Sequence, residues 1–214
     1  GGGVTSAGPG GAFRYAWGGS DRPWLRLVLE LLAGGLGPQH DDTVGVDTAP
    51  LLERSYARAA GLGWIGKNTC LINEPLGSWF FLGELLTSLD IQPDAPPADR
   101  CGTCSRCVEA CPTDAISPQG YQLDSRLCIS YFTIELRSSI PEGHRQQLGN
   151  HVFGCDICQD VCPWNRRAPT TDEPDFAPTH MTPRLAKLAA LSEPEFRDMF
   201  RHSPGTCAHT RGSL

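Results

Sequence analysis

The stretch CGTCSRCVEACP, residues 101–112, places cysteines at positions 101, 104, 107 and 111, the last directly before a proline. This is the spacing of two-cluster iron–sulfur proteins, in which three cysteines of the run bind one [4Fe-4S] cluster and the fourth binds its neighbour. A structural zinc site usually takes its four cysteines as two short pairs, and it leaves the continuous run unexplained. The stretch therefore predicts a fold organised around two iron–sulfur clusters.

A second run, GCDICQDVCP at residues 154–163, completes the set of ligands. It carries three more cysteines, and another stands between the two runs, so eight cysteines fall within residues 101–162. Crossed ligation, in which the last cysteine of each run reaches the other cluster, predicts two sets of four. The sets are Cys101, Cys104, Cys107 and Cys162 for the first cluster, and Cys111, Cys128, Cys155 and Cys158 for the second. Cys70 and Cys207 are interpreted as free thiols.

The composition sets bounds on class and location. The 214 residues are 40% hydrophobic, enough for a core in one or two domains, and no run of about 18 apolar residues predicts a membrane span. The opening GGGVTSAGPGGAF lacks the features of a secretory signal, so a cytoplasmic protein is expected. Clustered cysteines in a reducing cytosol hold metal more often than they form disulfides. A net charge of −6 argues against a broad basic coat for nucleic acid.

The regions flanking the cysteines predict a mixed α+β chain. Residues 24–33 are expected to form a helix that ends at Gly34-Gly35, and residues 48–60 a second helix capped by Thr48. The apolar stripe of the second helix would consist of Leu51, Leu52, Tyr56 and Ala59.

Beyond that helix, residues 61–70 are expected to form a glycine-punctuated loop. Residues 76–91 are expected to form paired strands, with the Trp79-Phe80-Phe81 triplet in the core. Residues 92–99 are polar and proline-rich, which predicts a hinge into the cysteine module. Weak helical patterning continues over residues 184–201.

Four stretches in this order resemble the epoxyqueuosine reductase family: VDTAPLLERSYARAAGLGWIGKNTCLINEPLGSWFFLGELL (46–86), CGTCSRCVEACPTDAI (101–116), LDSRLCISYFTIEL (123–136) and FGCDICQDVCPWNR (153–166). The resemblance implies a cobalamin-binding α/β domain portion within residues 1–98. A ferredoxin-like module with two [4Fe-4S] clusters would follow in residues 99–167, and a linker in residues 168–214. It also implies a fragment, whose N-terminal segment and C-terminal helical repeat lie outside this sequence.

The same resemblance implies an oxidoreductase that reduces epoxyqueuosine, at the wobble position of a tRNA, to queuosine. The cofactors would be cobalamin and the two clusters, and the partners a tRNA and an unidentified low-potential electron donor. A monomer is expected. Removing the oxygen of an epoxide takes two electrons, two protons and a very strong reductant. The cofactor supplies this chemistry, while the protein orients it and delivers protons.

Individual site residues follow from the matching motifs. Asp47 in VDTAP corresponds to the acid that the family places near the cobalt, as proton donor, although an N-terminal helix cap is the competing interpretation. Lys67 and Asn68 in GWIGKNT would contact cobalamin, where the alternative is a surface turn. Ser130 and Tyr131 follow a predicted cluster ligand and would lie on the cobalamin side of that cluster.

The resemblance weakens before residue 46. Residues 13–18 begin the RYAxGxDYH-like pattern of the family, but residues 19–24 depart from it. The strand expected ahead of VDTAP is poorly formed in QHDDTVG, residues 39–45.

Two other functions fit part of the sequence. A reductive dehalogenase also joins cobalamin to a two-cluster module, but it needs no basic surface for tRNA. A ferredoxin-type electron-transfer fragment would leave residues 46–86 without a role. Basic side chains that flank the cysteine module are candidates for binding tRNA phosphates, although isolated arginines are usually just solvated: these are Arg137, His144, Arg145, Arg166 and Arg167.

Overall fold

The computed structural model of the chain describes residues 11–12, 22–46, 50–172, 174 and 185–201. Within this part, the helices are α1 (Arg22–Leu36), α2 (Glu53–Ala59), α3 (Arg106–Ala110), α4 (Glu142–Arg145), α5 (Ile157–Asp160), α6 (Leu185–Ala189) and α7 (Glu193–Met199). The strands are β1 (Gly11–Ala12), β2 (Asp42–Gly45), β3 (Trp64–Ile65), β4 (Leu71–Ile72), β5 (Glu84–Thr87) and β6 (His151–Phe153). Shorter helical turns are Ser125–Leu127 and Pro163–Arg167, which are 3₁₀, and Tyr131–Glu135, which is π-helical.

The sheets are small, and the predicted α+β class is confirmed. Strand β1 pairs in parallel with β6, while β2 pairs with β5 and β3 with β4, both antiparallel. None of the helices within the described ranges has the length and apolar character needed to cross a membrane.

Helix α1 is longer than predicted, because it continues through Gly34 and Gly35. A Cβ at either glycine would meet no atom within 4 Å, so no close contact requires glycine at these positions. The end comes at Gly37, whose φ of +89° is the left-handed conformation that terminates many helices. Leu29 of this helix is buried and packs close to Gly83, just before β5.

Helix α2 begins later than predicted. Its N-cap residue is Leu52, so the prediction that Thr48 caps this helix is wrong. Pro50 disfavours helical backbone at the residue before it, and the helix starts beyond the proline. The predicted apolar stripe is also wrong in part, since Ala57 is the buried residue while Leu52 and Tyr56 are 72% and 59% exposed.

The pairing of β2 with β5 changes two expectations. The QHDDTVG stretch does form a strand, with Val44 opposite Leu85, although its sequence pattern is weak. Residues 76–91 supply one strand instead of a pair, because their partner lies some 40 residues earlier in the chain. Long-range pairing of this kind leaves little trace in a local pattern.

The aromatic triplet at residues 79–81 lies outside regular structure, and Phe81 is 44% exposed. The chain reverses just before it, where Asn73 and Gly77 exchange two backbone hydrogen bonds of 2.8 Å. Gly77 has a φ of +70°, which suits glycine. The turn therefore replaces the first half of the predicted strand pair.

The remaining expectations about loops and helices are confirmed. Residues 92–99 have no regular structure and are mostly exposed. The helical patterning of residues 184–201 corresponds to α6 and α7. Helix α7 begins with a capping box, in which Ser192 and Glu195 satisfy each other's backbone N–H groups.

Candidate functional site

Four of the module's cysteines line a cavity of about 260 Å³: they are Cys101, Cys104, Cys107 and Cys162, called the first cysteine group below. The structure thus brings the three leading cysteines of the first run together with the last cysteine of the second run. This is the set predicted for the first cluster. Lys67, Arg100, Arg106 and Trp164 are among the other residues that line the same cavity.

The second cysteine group consists of Cys111, Cys128, Cys155 and Cys158. The pKa of Cys155 is raised to about 12, mainly by burial, with contributions from the charges of Cys128, Asp156 and Cys111. The pKa of Cys158 is raised by a hydrogen bond with Cys70, by burial and by the charges of Cys155 and Cys128. Mutual charge effects of this kind require proximity, so the remaining four predicted ligands also lie together.

Proline explains why each run contributes its last cysteine to the other group. Cys111 follows α3 and Cys162 follows α5, and both have extended backbones, with φ/ψ of −69°/113° and −68°/125°. The residue before a proline is driven out of the helical region, so Pro112 and Pro163 impose this conformation. The chain therefore leaves each short helix at the cysteine and carries its thiol away from the preceding ones.

The electrostatics of the first group favour a bound cation. Burial raises the pKa of Cys107 and of Cys162, and the charges of neighbouring cysteines raise both further. Thiols crowded in this way do not ionise together unless positive charge is present, which the irons of a cluster provide. Backbone N–H groups already point at two of the sulfurs, from Lys67 to Cys101 and from Ala115 to Cys111, the latter at 3.3 Å.

The zinc alternative finds no support in the geometry. No group of three or more His, Cys, Asp or Glu side chains among the described residues is placed to hold a single metal ion. Four ligands of a four-iron cluster bind four different irons, so their sulfurs stand farther apart than those around one ion. The cavity lined by the first cysteine group agrees with the second arrangement.

The loop at residues 66–70 connects β3 to β4 and reaches both cysteine groups. The ammonium group of Lys67 donates to the carbonyl oxygens of Gly102 and Cys104, at 2.7 and 2.9 Å. Asn68 donates to the carbonyl oxygen of Cys158 at 3.3 Å and is only 4% exposed. The surface-turn alternative is therefore wrong for Asn68. Whether either residue contacts cobalamin stays a prediction.

Ser130 and Tyr131 lie beside the second cysteine group. The Ser130 hydroxyl donates to the carbonyl oxygen of Cys155 at 3.5 Å. Tyr131 begins the π-helical turn and packs on a buried cluster that includes Phe132.

Sequence reasoning missed Thr133, which links the π-helical turn to the backbone of Gly154. Its hydroxyl donates to the carbonyl oxygen of Ile129 and accepts the N–H of Gly154, both at 2.8 Å. The side chain is 3% exposed, so these bonds form away from solvent, where they count most. A threonine among apolar residues was the signal available in the sequence.

Asp47 lies outside the described residues, as does Cys207. The capping interpretation of Asp47 is nevertheless wrong for α2, whose N-cap residue is Leu52. Helix α2 is tied to the loop at residues 66–70 by Arg54, which donates to the carbonyl oxygen of Thr69 at 2.5 Å. Helix α2 is thereby anchored to the loop beside the cysteines.

Cys70 is a free thiol, as predicted, but it is not remote from the site. A hydrogen bond with Cys158 lowers the pKa of Cys70 and raises that of its partner. The guanidinium of Arg54 also favours the Cys70 thiolate, while burial and Asp156 oppose it.

A hydrogen-bond network joins the turn at residues 76–78 to the cysteine module. The Asn165 side chain accepts from the Ser78 N–H at 2.6 Å and donates to the Gln159 carbonyl oxygen at 2.8 Å. The Ser78 hydroxyl completes the network by donating to the Gln159 side chain at 2.8 Å. A Cβ on Gly77 would come within 2.2 Å of the Asn165 oxygen, so only glycine fits there.

Replacement of Asn165 by alanine should destabilise this junction. The substitution removes the Asn165 partner of the Ser78 N–H and of the Gln159 carbonyl, which lowers the free energy of unfolding by about 1–3 kcal/mol. Thermal unfolding of the cluster-loaded chain should show a midpoint lower by roughly 2–4 °C for each kcal/mol lost. The matched control is Asn150→Ala, at an exposed asparagine. Equal midpoints for the two variants would show that the network contributes no stability.

The fold and the paired cysteine groups define a two-cluster iron–sulfur protein. Residues 100–165 match the family model of a 4Fe-4S double cluster binding domain. The chain is 48% identical over 197 residues to an epoxyqueuosine reductase of Xanthomonas campestris pv. campestris, covering 89% of this chain and 55% of that protein. For a Synechocystis epoxyqueuosine reductase, the identity is 46% over 197 residues, with coverages of 89% and 68%. The chain therefore belongs to the epoxyqueuosine reductase family.

Solved structures agree with this assignment. A selenomethionine-labelled epoxyqueuosine reductase superimposes with a TM-score of 0.88 at 34% identity, over 97% of this chain and 56% of that one. An epoxyqueuosine reductase with an epoxyqueuosine-modified tRNA-Tyr stem loop gives 0.85 at 35% identity, over 94% and 54%. The Bacillus subtilis enzyme, with an aspartate catalytic loop swung out of its active site, gives 0.83 at 33% identity, over 95% and 55%. The chain spans about half the length of the curated relatives it matches.

Proposed function

We propose that the protein carrying this chain reduces epoxyqueuosine to queuosine at the wobble position of tRNA. One observation carries the proposal: both cysteine groups and the buried loop between them occur in a fold that matches, at a TM-score of 0.85, a reductase solved with an epoxyqueuosine-modified tRNA stem loop. The reaction breaks both C–O bonds of the epoxide and forms a C=C bond. It consumes two electrons and two protons, and the oxygen leaves as water.

The cysteine groups are proposed to hold two [4Fe-4S] clusters. The first cluster takes Cys101, Cys104, Cys107 and Cys162, and the second takes Cys111, Cys128, Cys155 and Cys158. The cavity between the first four, the N–H donors aimed at sulfur and the proline-directed crossing all support this set. When bound, the clusters supply electrons one at a time. The proposed domains are a cobalamin-binding portion at residues 1–98, the two-cluster module at residues 99–167 and a linker at residues 168–214.

Cobalamin is proposed to bind next to the second cluster, held by Asp47, Asn68, Ser130 and Tyr131. The fit rests on position, since Asn68 and Ser130 both bond to backbone carbonyls of the second ligand loop. Lys67 is the weakest member of the predicted set, because its ammonium group is already bonded to the first loop. When bound, cobalamin supplies the strong reductant that opening an epoxide requires.

The protein's own contribution to the chemistry is a proton. Asp47 is proposed to hold it on a carboxyl oxygen and to give it to the epoxide oxygen as the C–O bond breaks. The Bacillus subtilis structure supports an aspartate as the proton donor, because the catalytic loop of that enzyme is named after an aspartate. The predicted electron donor, monomeric state and cytoplasmic location stay predictions.

The direct test is turnover. The full-length protein, loaded anaerobically with clusters and cobalamin, is given a low-potential reductant and an anticodon stem loop that contains epoxyqueuosine. Nucleoside mass spectrometry should show queuosine formed in proportion to epoxyqueuosine lost. Cluster-loaded, cobalamin-bound protein that leaves the nucleoside unchanged would refute the proposed activity.

A basic surface for tRNA is proposed at Arg166 and Arg167. Both are exposed on the helical turn that follows Cys162, and neither forms an ion pair with another described residue. Two other members of the predicted set are partly engaged: Arg145 donates to the Ile140 carbonyl, and the His144 ring packs against Phe132. Arg137 is exposed and stays in the set.

The double variant Arg166→Ala/Arg167→Ala should bind the tRNA stem loop more weakly and with less dependence on salt. Each lost contact to a single-stranded phosphate reduces the slope of log K against log salt by about 0.7, so the slope should fall by up to about 1.4. The control, Arg197→Ala/Arg201→Ala, removes the same charge from arginines already paired with Glu193 and Asp198. If both double variants bind alike, the tRNA surface lies elsewhere.

A further inference from the structure

The indole N–H of Trp64 makes no hydrogen bond of regular geometry among the described residues, although the atom is fully buried. Trp64 lies on β3 and is 2% exposed. Its ring packs on Ile72 and Cys162 and meets the ring of Trp164 edge to face, with centroids 5.0 Å apart. A buried donor without an acceptor is costly, and native proteins keep few of them.

The surroundings of this N–H point to sulfur as the missing acceptor. Cys101, a member of the first cysteine group, packs against the same cluster of buried residues as Trp64. The Trp64 side chain and the Lys67 backbone N–H are both placed on the sulfur side of Cys101. The indole therefore faces a sulfur that can accept its N–H. A cysteine that binds iron carries negative charge permanently.

We infer that Trp64 donates a hydrogen bond from its indole nitrogen to the sulfur of Cys101 in the loaded first cluster, and that this bond makes the cluster easier to reduce. The inference rests on the cluster assignment proposed above. Reduction adds one electron, and the negative charge on the sulfurs grows. A donor aimed at sulfur therefore stabilises the reduced state more than the oxidised state. Trp64 is thus a positioning residue that sets the driving force for electron transfer between the clusters.

The test is a potentiometric titration of the Trp64→Phe variant, in which an aromatic ring is kept and the N–H is lost. Both clusters are followed by electron paramagnetic resonance in the anaerobically loaded chain. We expect the equilibrium constant for one-electron reduction of one cluster to fall about threefold. This lowers the reduction potential of that cluster by about 28 mV, at 59 mV per tenfold change. The other cluster should keep its potential. The control is Trp164→Phe, which alters the other indole of the pair and should shift neither cluster comparably.

A measurement on unsubstituted protein guards against a variant that loses its clusters. In chain labelled with ¹⁵N at the indole nitrogens, hyperfine spectroscopy of the reduced state should detect one indole nitrogen coupled to a cluster. No coupling in the labelled chain would overturn the inference. So would potentials that are unchanged in Trp64→Phe, or shifted equally in both clusters. Iron analysis of the same samples tests the cluster assignment separately, since about eight irons per chain are expected whatever the role of Trp64.

Discussion

Asp47→Asn is expected to slow epoxide reduction by about 10²–10⁴-fold, the usual contribution of a positioned general acid. The amide has nearly the same shape as the carboxyl group but cannot supply the proton that the epoxide oxygen needs. Iron content and folding should match the parent protein, because Leu52 and not Asp47 occupies the N-cap position of α2. Turnover is measured in the full-length protein by nucleoside mass spectrometry under single-turnover conditions.

The matched control for this variant is Asp41→Asn, six residues earlier in the chain. The Asp41 residue is exposed, and its backbone N–H bonds to the Ser88 hydroxyl, a contact that the substitution leaves intact. It should turn over at the parent rate. Parent-like turnover in Asp47→Asn as well would remove Asp47 from the chemistry and leave the proton donor to be sought elsewhere.

The second large effect is expected for Cys155→Ala, which should reduce the iron content from about eight to about four per chain and abolish epoxide reduction. Its thiol belongs to the second cysteine group, close to Cys128 and Cys111. The first group keeps its own four thiols, so one cluster should survive. Iron and sulfide analysis after anaerobic loading measures the loss.

Cys70→Ala is a demanding control for the ligand assignment, because Cys70 hydrogen-bonds to Cys158 within the second group. If the assignment is right, this variant keeps about eight irons. If instead Cys70→Ala loses about four irons and Cys155→Ala loses none, Cys70 would replace Cys155 among the ligands of the second cluster.

The cysteine groups were predictable because their information is local. The spacing within each run and the proline after its last cysteine fix short helices and extended exits, and the crossing of Cys111 and Cys162 follows from these. The GWIGKNT motif was also recognised from its sequence. Its detailed role was not, since the bonds of Lys67 and Asn68 go to carbonyls more than 30 residues away.

The sequence did not predict features that depend on partners far away along the chain. Strand β2 forms because β5 pairs with it, and the weak pattern of its own residues gave no sign of this. The exposure of Leu52 and Tyr56 likewise reflects what packs against α2, which helical periodicity alone does not specify. The sequence does not single out Trp64, which is distinguished only by an indole N–H without a regular hydrogen bond among the described residues.

The most direct test of the account is anaerobic loading of this chain with iron and sulfide, followed by iron analysis and a cobalamin spectrum. The central claim is that eight cysteines hold two four-iron clusters beside a cobalamin site. It predicts about eight irons per chain and a cobalamin spectrum that changes when the cofactor is added to the loaded chain. A reproducible value near four irons, with no loss in Cys155→Ala, would contradict the two-cluster site on which the proposed function depends.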